Sequence, residues 1–201
     1  MATMQYDVWS VTPGADADFY FASATVGGAG AITLAATTPG INGYGYKVSI
    51  SSSTDDESGV NFTITGIPVG ATTSVTEVLA GPDGSGGAAT VYSTTYFATV
   101  QSIVASAGTA GDITIGYGGS LALSRCRVKG LYYVGAVSAG SISISDAGVT
   151  PPRLSIPTPA GSAAFANSLY MAAEGILVGQ GQSGYAVVTL TQVTNVTLIC
   201  G

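Results

Sequence analysis

The sequence predicts an all-β protein, with a jelly-roll-like or β-sandwich module followed by a second, smaller β module. Two observations predict this fold class. Apolar and polar residues alternate with a period of two along much of the chain, as they do in strands that are buried on one face. Gly, Pro, Asn and Asp bound most of these short segments, which is typical of sandwiches and barrels.

The predicted strands follow one another along the whole chain. In residues 46–51 the apolar side chains share one face and the polar ones the other, and residues 60–65 repeat the pattern. Only residues 162–173, an Ala-rich stretch between Gly161 and Gly175, favour a helix of one or two turns. The other predicted strands are 74–79, 96–104, 112–117, 131–134, 141–145, 169–171, 185–190 and 193–200.

The domain boundary is predicted around Gly118-Gly119-Ser120, where a run of strands ends and a basic segment begins. We therefore expect three parts. Residues 1–30 form an N-terminal arm or a first strand, residues 31–119 the main β-sandwich module, and residues 120–201 the C-terminal β module. Within the main module, the Gly-rich stretch 81–87 predicts a mobile hairpin loop.

Charge and cysteine content exclude several classes of function. The chain has 5 Lys and Arg against 11 Asp and Glu, giving a net charge of -6, so it cannot neutralise many phosphates of a nucleic acid. No apolar run is long enough to span a membrane. The N-terminus lacks the pattern of a secretory signal. In a reducing cytosol we expect Cys126 and Cys200 to be free and buried rather than bridged.

The chain also lacks the side chains on which most enzymes depend. Histidine is absent, which removes the commonest general base and metal ligand. Carboxylates at Asp16, Asp18 and in the loop Asp55-Asp56-Glu57 have the oxygen atoms that calcium prefers, but short acidic loops more often cap turns. We therefore predict no catalytic residue, no metal and no cofactor. A glycosidase would need two carboxylates at a set separation, which a sequence cannot place.

Low charge favours a protein whose surface is covered by other subunits. Only 8% of the residues are charged and the mean hydropathy is +0.45, so little charge repulsion separates neighbouring molecules. A hydroxyl-rich soluble monomer is the alternative. The predicted partner contacts are the aromatic residues of the arm and the cations of a basic segment, which occupy every second position. They are Trp9, Phe19, Tyr20, Phe21, Arg125, Arg127 and Lys129.

Residues 27–118 resemble a recurrent module of tailed-bacteriophage virion structural proteins, closest to capsid cement or decoration proteins. The resemblance rests on strands and turns rather than on catalytic residues. The segments that carry it are Gly28-Ala29-Gly30 with Ile32-Thr33-Leu34, Val48-Ser49-Ile50-Ser51-Ser52, Val60-Asn61-Phe62-Thr63-Ile64-Thr65-Gly66, Val75-Thr76-Glu77, Tyr96-Phe97-Ala98-Thr99-Val100 and Gly111-Asp112-Ile113-Thr114-Ile115-Gly116.

The resemblance implies a non-enzymatic virion protein that binds the capsid exterior and stabilises the head. Its partners would be the major capsid protein or other virion proteins, and it would join the virion during assembly in the host cytoplasm. A homotrimer over a local three-fold axis is the expected oligomer. A tail, collar or head-fibre component that contacts virion proteins or host glycan is one alternative. A carbohydrate-binding or glycan-cleaving module is another.

Overall fold

The computed structural model describes residues 7–11, 16–38, 44–147, 149–160, 165–170, 175–180 and 185–200. Within these ranges the chain forms strands and no helix, which confirms the all-β class; accordingly, none of the described segments is a membrane-spanning helix. The strands are β1 (Asp7–Val11), β2 (Asp16–Thr25), β3 (Gly30–Ala31), β4 (Tyr44–Ser52), β5 (Asn61–Pro68), β6 (Val75–Ala80), β7 (Ala89–Ala105), β8 (Asp112–Ser124), β9 (Cys126–Gly135), β10 (Gly140–Asp146), β11 (Leu154–Thr158), β12 (Phe165–Tyr170), β13 (Ile176–Val178), β14 (Tyr185–Thr191) and β15 (Val193–Cys200).

Contacts divide the chain into two compact units. The central unit comprises Gly14–Gly119, and the terminal unit comprises Met1–Pro13 together with Ser120–Gly201. Strand β8 contributes its first part to the central unit and its last part to the terminal unit. The N-terminal residues group with the C-terminal ones because β1 pairs with β15, a long-range ladder that the order of the sequence does not indicate.

The central unit is a sheet with the strand order β6-β5-β7-β4-β8, in which β2 also pairs with β8 and β3 with β7. Alternation within each strand turns one set of apolar side chains inward. Phe62 and Ile64 of β5 are fully buried, whereas Thr63 and Thr65, which alternate with them, reach the opposite face. The core of this unit is formed by Tyr20, Ile32, Val48, Ile50, Val60, Phe62, Ile64, Phe97, Val100, Ile103, Ala105, Ile113 and Ile115.

The terminal unit contains strands of two sheets. In one, the order is β11-β10-β14 followed by the last part of β8; in the other it is β1-β15-β9-β12, with β13 beside β9. The same alternation operates here: Ile142 and Ile144 of β10 are fully buried, and Leu131 of β9 lies buried opposite Leu198 of β15. A large antiparallel sheet and a smaller second one agree with the predicted sandwich-like class.

The predicted helix at residues 162–173 is wrong over the part that the structure describes. Phe165–Tyr170 is strand β12, which pairs antiparallel with β9 from Phe165 opposite Gly135 to Tyr170 opposite Gly130. Residues 161–164 and 171–174 lie outside the described residues. Helix propensity is a weak preference, and here an edge position next to β9 supplies a complete ladder that outweighs it.

The Gly-rich stretch 81–87 is not a hairpin loop. Strands β6 and β7 flank it, but both pair with β5 rather than with each other. The stretch is held by backbone hydrogen bonds: Gly81 N–H donates to Val60 O (2.8 Å), Glu57 N–H donates to Pro82 O (2.8 Å), and Gly84 N–H donates to Asp55 O (2.9 Å). Gly81, Pro82 and Gly84 are therefore buried against the acidic loop.

Candidate interaction surface

Strands β5 and β6 and the last part of β7 share an outer face that turns away from the core, and the described residues of this face carry no charged side chain. Residues that lie directly opposite each other on antiparallel strands point to the same face, so the strand registers define its members. We call this surface the outer face; it consists of Asn61, Thr63, Thr65, Thr76, Val78, Ala80, Ser102 and Val104.

Two rows of side chains cross the outer face from strand to strand. Val78, Thr63 and Val104 form one row, in which the two valines are 61% and 39% exposed. Beside it, the hydroxyls of Thr65 and Thr76 lie 3.2 Å apart. Charged side chains, especially lysine, near the edge of a sheet protect it from association. Their absence here leaves a surface that can be covered by another protein at little desolvation cost.

The outer face ends at β6, the last strand of this sheet on that side. An edge strand presents backbone N–H and C=O groups to which another chain can add. Proteins commonly block such edges with proline or lysine, and β6 contains neither. Its one charged residue, Glu77, points away from the outer face and is engaged within the chain. Edge and face together form a continuous uncharged surface.

Glu77 stabilises an irregularity in β7. Its carboxylate accepts hydrogen bonds from the backbone N–H groups of Thr94 (2.6 Å) and Thr95 (3.0 Å) and from the Thr94 hydroxyl (3.0 Å). Here the register between β4 and β7 shifts, and Ser93 Oγ accepts the N–H of Val48 at 2.9 Å. Partial burial opposes ionisation of Glu77, but these hydrogen bonds outweigh it, so its pKa is lowered.

Glu57, expected as a calcium ligand or a turn cap, instead anchors a loop from inside the protein. Its side chain is 1% exposed. One carboxylate oxygen accepts the backbone N–H of Gly111 at 2.8 Å, and the other accepts that of Ala110 at 3.0 Å. A buried carboxylate that receives two amide hydrogens is well satisfied. The loop that leads into β8 is therefore fixed to the acidic loop by this one side chain.

Asp146 has the same role in the terminal unit. Its buried carboxylate accepts hydrogen bonds from Arg153 Nε (2.9 Å), from the N–H of Gly179 (2.6 Å) and from that of Gln180 (3.3 Å). Burial alone would raise the pKa of this group, but the Arg153 guanidinium and the two amides outweigh it and hold the pKa below its usual value. Asp146 thereby connects β10 to Arg153, which directly precedes β11, and to the segment that follows β13.

The remaining described acidic groups serve local structure. Asp56 accepts the N–H of Ser58 at 2.9 Å, which lowers its pKa, and Asp83 accepts both the N–H and the hydroxyl of Ser85. For Asp16, burial and a hydrogen bond with Asp18 raise the pKa. Among the described residues, no three Asp, Glu or Cys side chains are grouped closely enough to hold a metal ion.

A hydroxyl-lined depression of about 150 Å³ also lies in the central unit. It contains one carboxylate, Asp112, whose Oδ1 accepts the hydroxyl of Thr25 at 2.6 Å. None of the described residues that line it is aromatic, so they offer no stacking surface for a sugar ring. Its lining residues are Ser23, Ser51, Ser52, Ser53, Ala88, Ala89, Thr90, Asp112 and Thr114.

The aromatic residues predicted as partner contacts take different positions. Trp9 lies in β1 opposite Leu198 of β15. Tyr20 is fully buried in the core of the central unit, and Phe19 and Phe21 pack against that core. Tyr20 therefore has a structural role rather than a contact role, because β2 pairs with β8 and turns this side chain inward. Its hydroxyl finds no hydrogen-bond partner in the described structure, and burial raises its pKa.

Phe19 belongs to an aromatic cluster that includes Tyr20, Tyr44, Tyr46 and Tyr117. The ring centroids of Tyr46 and Tyr117 are 4.5 Å apart, and those of Phe19 and Tyr117 are 5.1 Å apart. Burial raises the pKa of Tyr46 and of Tyr117. The cluster joins β2, β4 and β8, so these aromatic residues stabilise the central unit internally.

The basic segment lies at the start of β9. Arg125 and Arg127 are exposed, and Lys129 is half-buried. Val128, between Arg127 and Lys129, is fully buried, as expected for a strand in which cations and apolar residues alternate. Between Arg125 and Arg127, Cys126 approaches Cys200 of β15, and the two Sγ atoms are 3.2 Å apart. Sequence spacing alone does not indicate this approach, because the cysteines are 74 positions apart.

Comparison of the chain with protein-family models, with characterised protein sequences and with solved structures gives no match. Sequence reasoning missed the outer face, although one signal was present. The outward positions of the predicted strands 60–65 and 74–79 hold Thr, Val, Ser and Asn and no charged residue.

Proposed function

We propose that this chain is a non-enzymatic structural protein of a tailed-bacteriophage virion, which binds the capsid exterior and cements or decorates the head. The observation that carries the proposal is the uncharged outer face that continues into the unprotected edge strand β6. A surface of this kind suits association with other proteins.

Docking on the outer face would bury valine side chains and hydroxyls without removing any charge from water. Desolvating an unpaired lysine or glutamate costs far more than desolvating threonine or alanine. The exposed valines, Val78 and Val104, would supply apolar contact, and a strand of the partner could add to β6. Many modest contacts of this type would tie a small protein to a capsid surface.

The assignment to a phage particle is supported by the resemblance of residues 27–118 to virion structural modules. That segment lies within the central unit, Gly14–Gly119, and its strands carry the outer face. The partner of the proposal is therefore the major capsid protein or another virion protein. A homotrimer remains the expected oligomer, since a small protein that ties capsid subunits together fits a three-fold position.

A non-enzymatic role is supported by how the carboxylates are used. Glu57, Glu77 and Asp146 each accept two backbone N–H groups of the chain itself. Carboxylates held in this way are structural anchors and are not directed into a cleft where substrate would bind.

The depression at Asp112 favours a second candidate, a tail, collar or head-fibre component that contacts host glycan. Serine and threonine hydroxyls together with one carboxylate can hydrogen-bond a sugar. Glycan cleavage is less well supported than binding, because both common mechanisms require a pair of carboxylates and the described lining of the depression includes one. A glycan array probed with the purified chain and with an Asp112→Asn variant tests this candidate.

The main proposal is tested by placing a charge on the outer face. Val78→Lys puts an ammonium at a 61% exposed position on that face, and Val137→Lys is the matched control at a 58% exposed valine of the terminal unit. Size-exclusion chromatography with light scattering first establishes the oligomer of each protein. Each is then sedimented with heads of the tailed phage that encodes it, prepared without this protein.

We expect the wild-type chain and Val137→Lys to sediment with heads at a fixed stoichiometry. Val78→Lys should bind at least about tenfold more weakly, because an ammonium buried without a partner costs more than 1.4 kcal/mol. Wild-type protein that stays in the supernatant contradicts the virion proposal. If Val78→Lys and Val137→Lys bind heads equally well, the outer face is not the docking surface.

A further inference from the structure

Two thiols that are distant in sequence meet at one end of a strand pair in the terminal unit. Cys126 is the first residue of β9 and Cys200 the last residue of β15, and the two strands pair antiparallel. Their Sγ atoms lie 3.2 Å apart. A disulfide bond is about 2.05 Å long, so an approach of about 1.2 Å brings the two sulfurs to bonding distance.

We propose that Cys126 and Cys200 are an oxidative modification site, at which a low-molecular-weight disulfide such as glutathione disulfide converts the two thiols into an intramolecular disulfide. The bond would link the beginning of β9 to the end of β15. In this structure the two cysteines are not joined by a disulfide.

Cys126 is the thiol that reacts first. It is partly accessible, whereas Cys200 is 2% exposed. A hydrogen bond with Cys200 lowers the pKa of Cys126, and this effect exceeds the opposing effect of burial. Cys126 thus has the features of a reactive cysteine.

The reaction proceeds by two exchanges. The Cys126 thiolate attacks one sulfur of glutathione disulfide, forming a mixed disulfide and releasing one glutathione thiolate. Cys200 then loses its proton and attacks Cys126 Sγ, which displaces the second glutathione. In total, two protein thiols lose two hydrogens and one glutathione disulfide becomes two glutathione molecules. The short distance between the thiols favours this second step over a lasting glutathione adduct.

The bond would restrain a large part of the terminal unit. It closes a loop between residues 74 positions apart, and a cross-link of that span removes much conformational freedom from the unfolded chain. Strand β15 is also the partner of β1, so the bond secures the strand that pairs with both β1 and β9. We expect the melting temperature of the oxidised protein to rise by about 10 °C.

The test uses the full-length protein, incubated with glutathione disulfide and then analysed for free thiols, mass and thermal stability. The expected product is a chain two hydrogens lighter that is not cross-linked to another chain and has no free thiol. Trypsin cleaves after Arg125, Arg127 and Arg153, so without reductant it should release the dipeptide Cys126-Arg127 bonded to the fragment 154–201. Dithiothreitol should reverse both the cross-link and the rise in melting temperature.

Cys126→Ser and Cys200→Ser are the control variants, and circular dichroism of the reduced proteins checks that each is folded. Neither should show a melting temperature that depends on dithiothreitol. A wild-type chain that keeps two reactive thiols, forms only a stable glutathione adduct, or forms only disulfide-linked dimers overturns the proposal. A linked peptide pair without any rise in melting temperature overturns the predicted restraint.

Discussion

Replacing Glu57 with alanine tests whether one buried carboxylate holds the loop that leads into β8. In the wild-type protein this side chain is 1% exposed and receives the N–H groups of Ala110 and Gly111 at 3.0 and 2.8 Å. Glu57→Ala removes both acceptors and leaves two amides facing a small cavity. Glu57→Gln keeps one carbonyl oxygen but directs an NH₂ group at an N–H donor.

The magnitude follows from the two hydrogen bonds. A hydrogen bond to a charged group contributes about 1.5–3 kcal/mol, and water entering the cavity would recover part of the loss for the alanine variant. We therefore expect Glu57→Ala to lower the free energy of unfolding by about 3 kcal/mol. For a unit of about 100 residues, that loss corresponds to a fall of about 13 °C in melting temperature. Glu57→Gln should lie between alanine and wild type.

Thermal denaturation followed by circular dichroism measures the effect, and hydrogen exchange locates it. Exchange at the amides of Ala110 and Gly111 should accelerate most, because these donors lose their acceptors. Asp56→Asn is the matched control, since Asp56 is an exposed neighbour whose hydrogen bond to Ser58 an asparagine can retain. If Glu57→Ala unfolds at the same temperature as Asp56→Asn, the carboxylate does not anchor this loop.

Two further predictions concern other parts of the fold. Asp146→Asn should lower the free energy of unfolding by about 2 kcal/mol at pH 7, because it removes the charge that pairs with half-exposed Arg153. Folding lowers the pKa of Asp146, so its contribution to the free energy of unfolding is complete above the unfolded-state pKa near 4 and is lost as the pH falls through the folded-state pKa. Urea titrations should therefore show the stabilities of wild type and Asp146→Asn converging in acid. A difference in stability that stays constant with pH would contradict this account. Gly66→Ala should cost about 3 kcal/mol, because a Cβ there would overlap the carbonyl oxygen of Thr99. Gly59→Ala, where nothing lies within 4 Å of the added atom, should unfold as the wild type does, and equal melting temperatures for the two alanine variants would refute the close approach.

Local patterns were sufficient to predict most of the strands. Alternation at residues 46–51 and 60–65 places Val48, Ile50, Phe62 and Ile64 on one face, and all four are fully buried. Period-two alternation indicates burial on one side because a strand turns successive side chains to opposite faces. The prediction failed at residues 162–173, where alanine composition indicated a helix and the ladder of β12 with β9 formed instead.

The candidate surface was only partly predictable. Low charge over the whole chain indicated a covered surface, but the predicted aromatic contact Tyr20 is a core residue. The outer face depends on the registers of β5 with β6 and β7. Those registers decide that Val78, Thr63 and Val104 form one row, although they are far apart in the chain. No local pattern specifies such a row.

The sequence alone determined the all-β class, the scarcity of charge and the absence of histidine, because composition and a period of two are local properties. Tertiary structure decided the rest. It gave Glu57 two amide partners in a loop more than fifty positions away and brought Cys126 beside Cys200 across 74 positions. It also grouped the first strand with the last. Each of these depends on long-range strand pairing, whose partners are chosen by the packing of the whole chain.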